Sequence, residues 1–278
     1  MMKNDLPVAI SILSTDFTFI KVSVTTSKLI GLPRKEIIGK KCYDIVGQYK
    51  DDPFKKGMEK ICDDCACLRC IQSGESSEMV RESDQNTVSH ILAIPLKNKS
   101  NEIIGMLEII ENIAEKVSDP MTGVYNYRFY DEIISQECYR SRRTGASSSI
   151  ILIDLNNFKA INDTHGHAKG DQVLRSVAQT LNSEIRKSDR LCRLGGDEFV
   201  IIAPDSGLTE SEKLADRINE TIKKKFANYN LSFSYGVATI LDDTDDPKKL
   251  REIADERLYK HKEYKTSEKL IFKPQYIE

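Results

Sequence analysis

The run Arg193-Leu194-Gly195-Gly196-Asp197-Glu198-Phe199 decides how the second half of this 278-residue chain is read. Residues of β type flank it, Leu191 to Leu194 before and Phe199 to Ile202 after, so it is expected to form a hairpin with Gly195-Gly196 at its tip. Paired glycines allow positive φ and close backbone approach, and adjacent carboxylates at a tip repel each other unless a cation neutralises them. Alone, such a run is more simply a solvated turn carrying surface acids.

A second acidic position changes that reading. Ile150 to Ile153 is a continuous apolar strand that ends on Asp154, where the chain is expected to leave the sheet. A carboxylate there, next to a hairpin tip bearing two more, makes an oxygen-rich pocket suited to Mg²⁺. Farther on, Phe158-Lys159-Ala160-Ile161-Asn162-Asp163 and Gly166-His167-Ala168-Lys169-Gly170-Asp171 supply a cation, an amide and an acid around a glycine-bearing loop, groups able to hold phosphates and a purine edge. Leu174, Val177, Ala178, Leu181 and Ile185 follow at helical spacing, as do Leu250, Ile253, Ala254 and Leu258, while Ser232 to Thr239 has strand character. These are the parts of an α/β domain with a central sheet flanked by helices.

Over roughly residues 117–272 the chain resembles the GGDEF family of diguanylate cyclases. The resemblance rests on Asp119 with Thr122-Gly123 and Asn126, Asp154 through Asp163, Gly166-His167, Gly170-Asp171, Gly195 to Phe199, Ser234 to Ala238, and Ala254-Asp255 with Leu258-Tyr259 and Lys262, all in family order. It implies a cyclase-like palm domain that condenses two GTP molecules into cyclic di-GMP with release of two pyrophosphates. Carried over by position, it implies that Asp154, the Leu155 carbonyl and Asp197 bind Mg²⁺ or Mn²⁺, and that Asn162 and Asp171 meet the guanine edge. Phe158 would line the GTP site, Lys159 and Lys262 would meet the triphosphate, and Glu198 would help deprotonate the attacking 3′-hydroxyl. Arg186-Lys187-Ser188-Asp189 matches the family's Arg-x-x-Asp product-inhibition motif, with Arg217 where a supporting arginine often stands; by itself such a pair is an ordinary surface ion pair. The product is two-fold symmetric, so a homodimer is implied. Two positions depart from the family: Asn156 replaces the second acid of an Asp-x-Asp segment, and Thr266 stands where an arginine is expected, which weakens the grip on phosphate unless Lys265 substitutes.

The N-terminal part reads as a separate α+β domain, residues 1–116 against 117–278. Strand-like runs cover Val8 to Ile12, Phe17 to Val24, Glu78 to Glu82, Val88 to Leu96 and Ile103 to Ile110, and helical stretches at Thr26 to Leu32 and Arg34 to Ile38 stop at Gly31, Pro33 and Gly39. One small antiparallel sheet with helices on one side fits this order. Leu29 to Pro33, Glu36 to Lys40, Ile94-Pro95-Leu96, Glu102 to Gly105 and Ile109 to Glu115 resemble a PAS sensory domain over about residues 6–115.

Five of the seven cysteines, Cys42, Cys62, Cys65, Cys67 and Cys70, fall in this domain. Tandem C-x-x-C pairs fit structural zinc or an iron–sulfur centre, but a straight helix would point Cys62 and Cys65 away from Cys67 and Cys70, so convergence of all four needs a loop. The trio Cys42, Cys62 and Cys65, followed by Ser73-Gly74, resembles a cysteine-bearing subset of PAS domains; buried inert thiols are the alternative. His90 reads as a packing or surface residue, and Cys138 and Cys192 as core thiols.

Composition sets the outer limits. Forty-one basic residues against 43 acidic ones give a net charge of −2, with no basic face that advertises nucleic acid. Apolar runs are strand-sized, far short of the roughly 20 residues of a membrane span, and the N-terminus lacks a signal-peptide pattern. A cytoplasmic protein is expected, its cysteines free rather than in a disulfide framework, with no phosphodiesterase domain after Glu278. The leading reading is a PAS-regulated diguanylate cyclase; the alternative is a catalytically weak GGDEF domain that binds GTP or cyclic di-GMP and signals by contact.

Overall fold

A computed structural model describes residues 8–46, 65–82 and 88–271, with side chains as far as Glu263. The chain divides into two compact units, Met1–Lys116 and Val117–Glu278. No described helix is long and apolar enough to cross a membrane.

The first unit is one antiparallel sheet. Its strands are β1 (Val8–Leu13), β2 (Phe19–Val22), β3 (Ser77–Glu82), β4 (Val88–Lys97) and β5 (Ile103–Asn112), in spatial order β2-β1-β5-β4-β3. Period-two alternation in β1 buries Ala9, Ser11 and Leu13 on one face. Against that face lie α1 (Val24–Ile30), α2 (Arg34–Ile37), α3 (Cys42–Ile45) and α4 (Ala66–Ser73). Helix α1 begins where the Ser23 side chain accepts the Thr26 amide, and stops at Gly31 in the left-handed conformation.

Helix α4 settles where the cysteines go. Cys65 is its N-cap, and Cys67 and Cys70, three residues apart, share the inward face and are buried among Leu13, Phe19, Ala93 and Met106. Cys42 packs against the same cluster, and Cys62 lies outside the described residues. Among the described residues no three His, Cys, Asp or Glu side chains are placed to hold an ion, so the expected zinc or iron–sulfur centre finds no support here. For Cys67 and Cys70 the physical reason is the helical turn, which aims both into the core; the preferred trio of Cys42, Cys62 and Cys65 includes one residue, Cys62, outside the described ones. The Cys67 thiol donates to the buried Glu108 at 3.6 Å, and burial pushes the Glu108 carboxyl up to about 7. Cys67 beside it holds the Cys65 thiol below its ordinary value, and Cys67 is itself pushed up by Cys65 and by burial. His90 pairs across the sheet with Glu78 at 3.0 Å.

The second unit runs α5 (Ala114–Val117, spanning the boundary), β6 (Tyr125–Asn126), α6 (Tyr127–Thr144), β7 (Ser148–Asn156), α7 (Phe158–His165), α8 (His167–Glu184), β8 (Arg190–Gly195), β9 (Glu198–Ala203), α9 (Leu208–Lys225), β10 (Ser232–Ile240) and α10 (Pro247–Ile271). Strand order is β10-β7-β9-β8-β6, antiparallel except where β6 meets β8. Helices cover both faces, so β7 is apolar on both sides: Ile151, Ile153 and Leu155 pack with Val177 of α8 and Ile218 of α9, while α6 and α10 cover the other face. There Gly236 lets α10 close directly on β10, since a Cβ at this position would stand 1.9 Å from the Ala254 carbonyl oxygen and 2.4 Å from the Leu258 amide. Cys138 and Cys192 are buried in this unit.

Candidate active site

Strands β8 and β9 pair from Arg190↔Ile202 to Gly195↔Glu198, with an irregularity between Arg193 and Gly195. Gly195 ends β8 at φ +154° and Gly196 turns at φ +51°, conformations that side chains other than glycine rarely adopt. The tip is therefore Gly196-Asp197, one residue later than the sequence suggested. It is pinned by Arg193, whose Nε and Nη2 donate to the Gly196 carbonyl at 3.1 and 2.8 Å while Nη1 donates to Asp119 at 3.0 Å. Asp119 also accepts from the Thr122 amide at 2.9 Å and hydroxyl at 2.6 Å. Burial pushes the Asp119 carboxyl up, but these donors and the arginine outweigh it and leave it below its ordinary value.

Asp154 is the last residue of β7 that pairs with β9; the strand itself continues to Asn156 alongside β10. The register sets Glu198 directly opposite Asp154, so both side chains leave the same face of the sheet. One step on, the Leu155 amide donates to the Asp197 carbonyl at 3.4 Å and ties the tip to the strand. Lys262 of α10 reaches Asp154 at 2.8 Å. The Asp197 carboxyl is raised by burial and then by the charge of Asp154, with Lys262 and Arg193 acting in the opposite direction. Two partly buried carboxylates so close that the charge of Asp154 raises Asp197 are a cation-seeking arrangement. Asn156 is engaged elsewhere, donating to the Ser232 hydroxyl and accepting from that of Ser234, each at 3.2 Å. Thr266 and Lys265 have side chains outside the described residues.

On the other side of the tip opens a cleft of about 260 Å³. Lys159 and Asn162 of α7 and Asp171 of α8 line it, opposite Arg193, Gly196 and Asp197, over a base of Phe158 and Leu174. Gly166 joins the two helices, ending α7 through a bond from its amide to the Asn162 carbonyl and opening α8. A cation, a carboxamide and a carboxylate thus face one space, with Asp197 shared between the cleft and Asp154.

Arg186 to Asp189 forms a tight turn after α8. The buried Asp189 carboxylate accepts the Arg186 amide at 2.8 Å and its own amide donates to the Arg186 carbonyl at 3.0 Å, so the motif is a backbone-capped turn with the Arg186 side chain exposed. Arg217 is bound to Glu184, donating to its carboxylate and, at 2.7 Å, to its carbonyl oxygen. The arginine motif therefore lies on the surface beside an arginine held at the end of α8.

Sequence reasoning passed over Arg193 as a site residue. The available signal was its place two residues before the paired glycines, but its partner Asp119 lies 74 positions away.

Comparison with known proteins matches the picture. Residues 116–268 fit the family described as "Diguanylate cyclase, GGDEF domain" and residues 7–115 fit the PAS domain. The chain is 37% identical over 175 residues to the diguanylate cyclase DosC of Escherichia coli K12, covering 60% of this chain and 38% of DosC. It is 37% identical over 202 residues to the response regulator PleD of Caulobacter vibrioides, covering 70% of this chain and 44% of PleD. To diguanylate cyclase A of Treponema denticola it is 28% identical over 265 residues, covering 80% of this chain and 71% of that protein. The chain spans less than half the length of DosC and of PleD. With the tip, the two carboxylates and the cleft in one place, the chain belongs to the GGDEF family of diguanylate cyclases and carries a PAS domain ahead of the GGDEF domain.

Proposed function

We propose that the chain is a diguanylate cyclase, joining two GTP molecules into cyclic di-GMP and releasing two pyrophosphates. The observation that carries this reading is the meeting of Asp154 and Asp197 beside a cleft bearing Lys159, Asn162 and Asp171. A carboxylate at Asp171 suits the donor N1–H and N2–H₂ edge of guanine and is repelled by the acceptor N1 of adenine. Lys159 and Lys262 bring point charges to the triphosphate. Asp154, the Leu155 carbonyl and Asp197 would hold Mg²⁺ or Mn²⁺, since two carboxylates completed by substrate phosphates form the donor set Mg²⁺ commonly takes. When bound, the ion neutralises the triphosphate and acidifies the attacking hydroxyl. Glu198, on the same sheet face as Asp154, accepts the 3′-hydroxyl proton.

Each domain carries one guanine site and the product contains two equivalent linkages, so catalysis takes two copies of the chain face to face. Product returning to the Arg186 turn and Arg217 would hold the two sites apart, and the PAS domain would set their relative orientation. The test is purified protein with GTP and Mg²⁺, read by nucleotide chromatography, beside Asp197→Asn. Cyclic di-GMP from the parent and none from the variant is expected. GTP binding without product from either protein would favour the contact-signalling alternative.

A further inference from the structure

Gly170 lies behind Asn162, outside the cleft wall. Built onto its backbone, a Cβ would stand 1.7 Å from Asn162 Oδ1, 2.8 Å from Cγ and 3.5 Å from Nδ2. The oxygen end of the α7 carboxamide therefore rests against the bare backbone of α8, one residue before Asp171, and the two groups that address the base are set against each other by this contact. Gly170 is not among the glycines with positive φ, so its backbone does not require glycine, and alanine is the better helix former. The atoms that an added methyl would displace are the far end of one side chain. Neither helix backbone would be forced to move.

We infer that Gly170 is a specificity-determining position of the nucleotide site, acting by seating the Asn162 carboxamide where it meets the base; this rests on the guanine reading of the cleft. A side chain at 170 swings the amide off its seat and into the cleft. The contact reaches neither Lys159, one turn earlier on α7, nor Lys262 of α10, the lysines assigned to the triphosphate.

The test uses the full chain with Mg²⁺ and three probes: 3′-deoxy-GTP, which cannot be condensed, 3′-deoxy-ATP, and inorganic tripolyphosphate, which has no base. Gly170→Ala is expected to weaken 3′-deoxy-GTP on the order of tenfold, the scale of one lost hydrogen bond to a buried partner. The preference over 3′-deoxy-ATP should fall by the same factor, with tripolyphosphate binding and thermal midpoint unchanged. Asn162→Ala should weaken 3′-deoxy-GTP similarly, and adding Gly170→Ala to it should cost nothing more. Additive losses, or weaker tripolyphosphate binding, would overturn the proposal, as would parental affinity in Gly170→Ala when Asn162→Ala is weakened. Parental affinity in Asn162→Ala would instead remove the guanine reading of Asn162 on which it rests.

Discussion

Arg193 and Asp119 are 74 residues apart in sequence and meet at 3.0 Å, both side chains largely buried. The same guanidinium grips the Gly196 carbonyl, so the first residues of the second unit and the hairpin tip share one anchor. Removing it leaves Asp119 without its cation and the tip without its clamp. Arg193→Ala is expected to lose roughly 1–3 kcal/mol in urea unfolding. Its turnover should fall more than its GTP affinity, because the reacting groups lose alignment before the base loses its contacts. Since the Asp119 carboxyl sits below its ordinary value in the folded protein, its contribution is present above the unfolded pKa and is lost as pH falls through the lower folded one. The gap between parent and variant should thus narrow under acid to what the Gly196 contacts contribute; a gap unchanged there would contradict the pairing.

Gly236→Ala tests the seating of α10. A methyl there meets the backbone of Ala254 and Leu258, which cannot rotate away, so the helix must lift from β10. Overpacking of this kind costs roughly 1–3 kcal/mol. Because Lys262 rides on the same helix, its contact with Asp154 should be lost and activity should fall along with the thermal midpoint. An unchanged midpoint would mean that α10 has slack the geometry does not indicate.

Arg186 and Asp189 should separate cleanly by experiment. Asp189 is buried and caps the turn, so Asp189→Ala should destabilise by about 1–2 kcal/mol. The Arg186 side chain is exposed, and Arg186→Ala should leave the stability within about 0.5 kcal/mol of the parent. If product binds here, Arg186→Ala reaches a higher cyclic di-GMP level before the reaction stalls. Equal stalling levels would reduce the turn to a structural feature.

Glu108 gives the first unit a pH dependence. Its carboxyl titrates near 7 in the folded protein because burial disfavours the charge, well above its unfolded value near 4.5. The folded state therefore binds the extra proton between these values, and stability falls as pH rises from about 4.5 to about 7, by roughly 3 kcal/mol at most. Glu108→Gln should flatten this slope, followed as the midpoint of the first-unit transition in calorimetry at pH 5 and pH 7. A slope identical in parent and variant would place the titration elsewhere.

What could be read from the chain alone is what neighbouring residues decide among themselves. Alternation in Val8 to Ile12, the apolar run before Asp154, the breakers at Gly31 and Gly39, and the paired glycines before Asp197 are local patterns, and the elements formed there. The order of motifs, matched to a family, was also enough to name Asp154, Asn162, Asp171 and Lys262 as candidates. Other facts depend on packing between distant segments. The anchor from Arg193 to Asp119, the contact of Lys262 with Asp154, and the bed that Gly170 makes for Asn162 are set by how sheet and helices close on each other. The cysteines show the difference most directly: their spacing suits a metal, yet whether Cys67 and Cys70 face an ion or a core depends on the direction in which α4 presents them, and that is decided by the sheet it packs against.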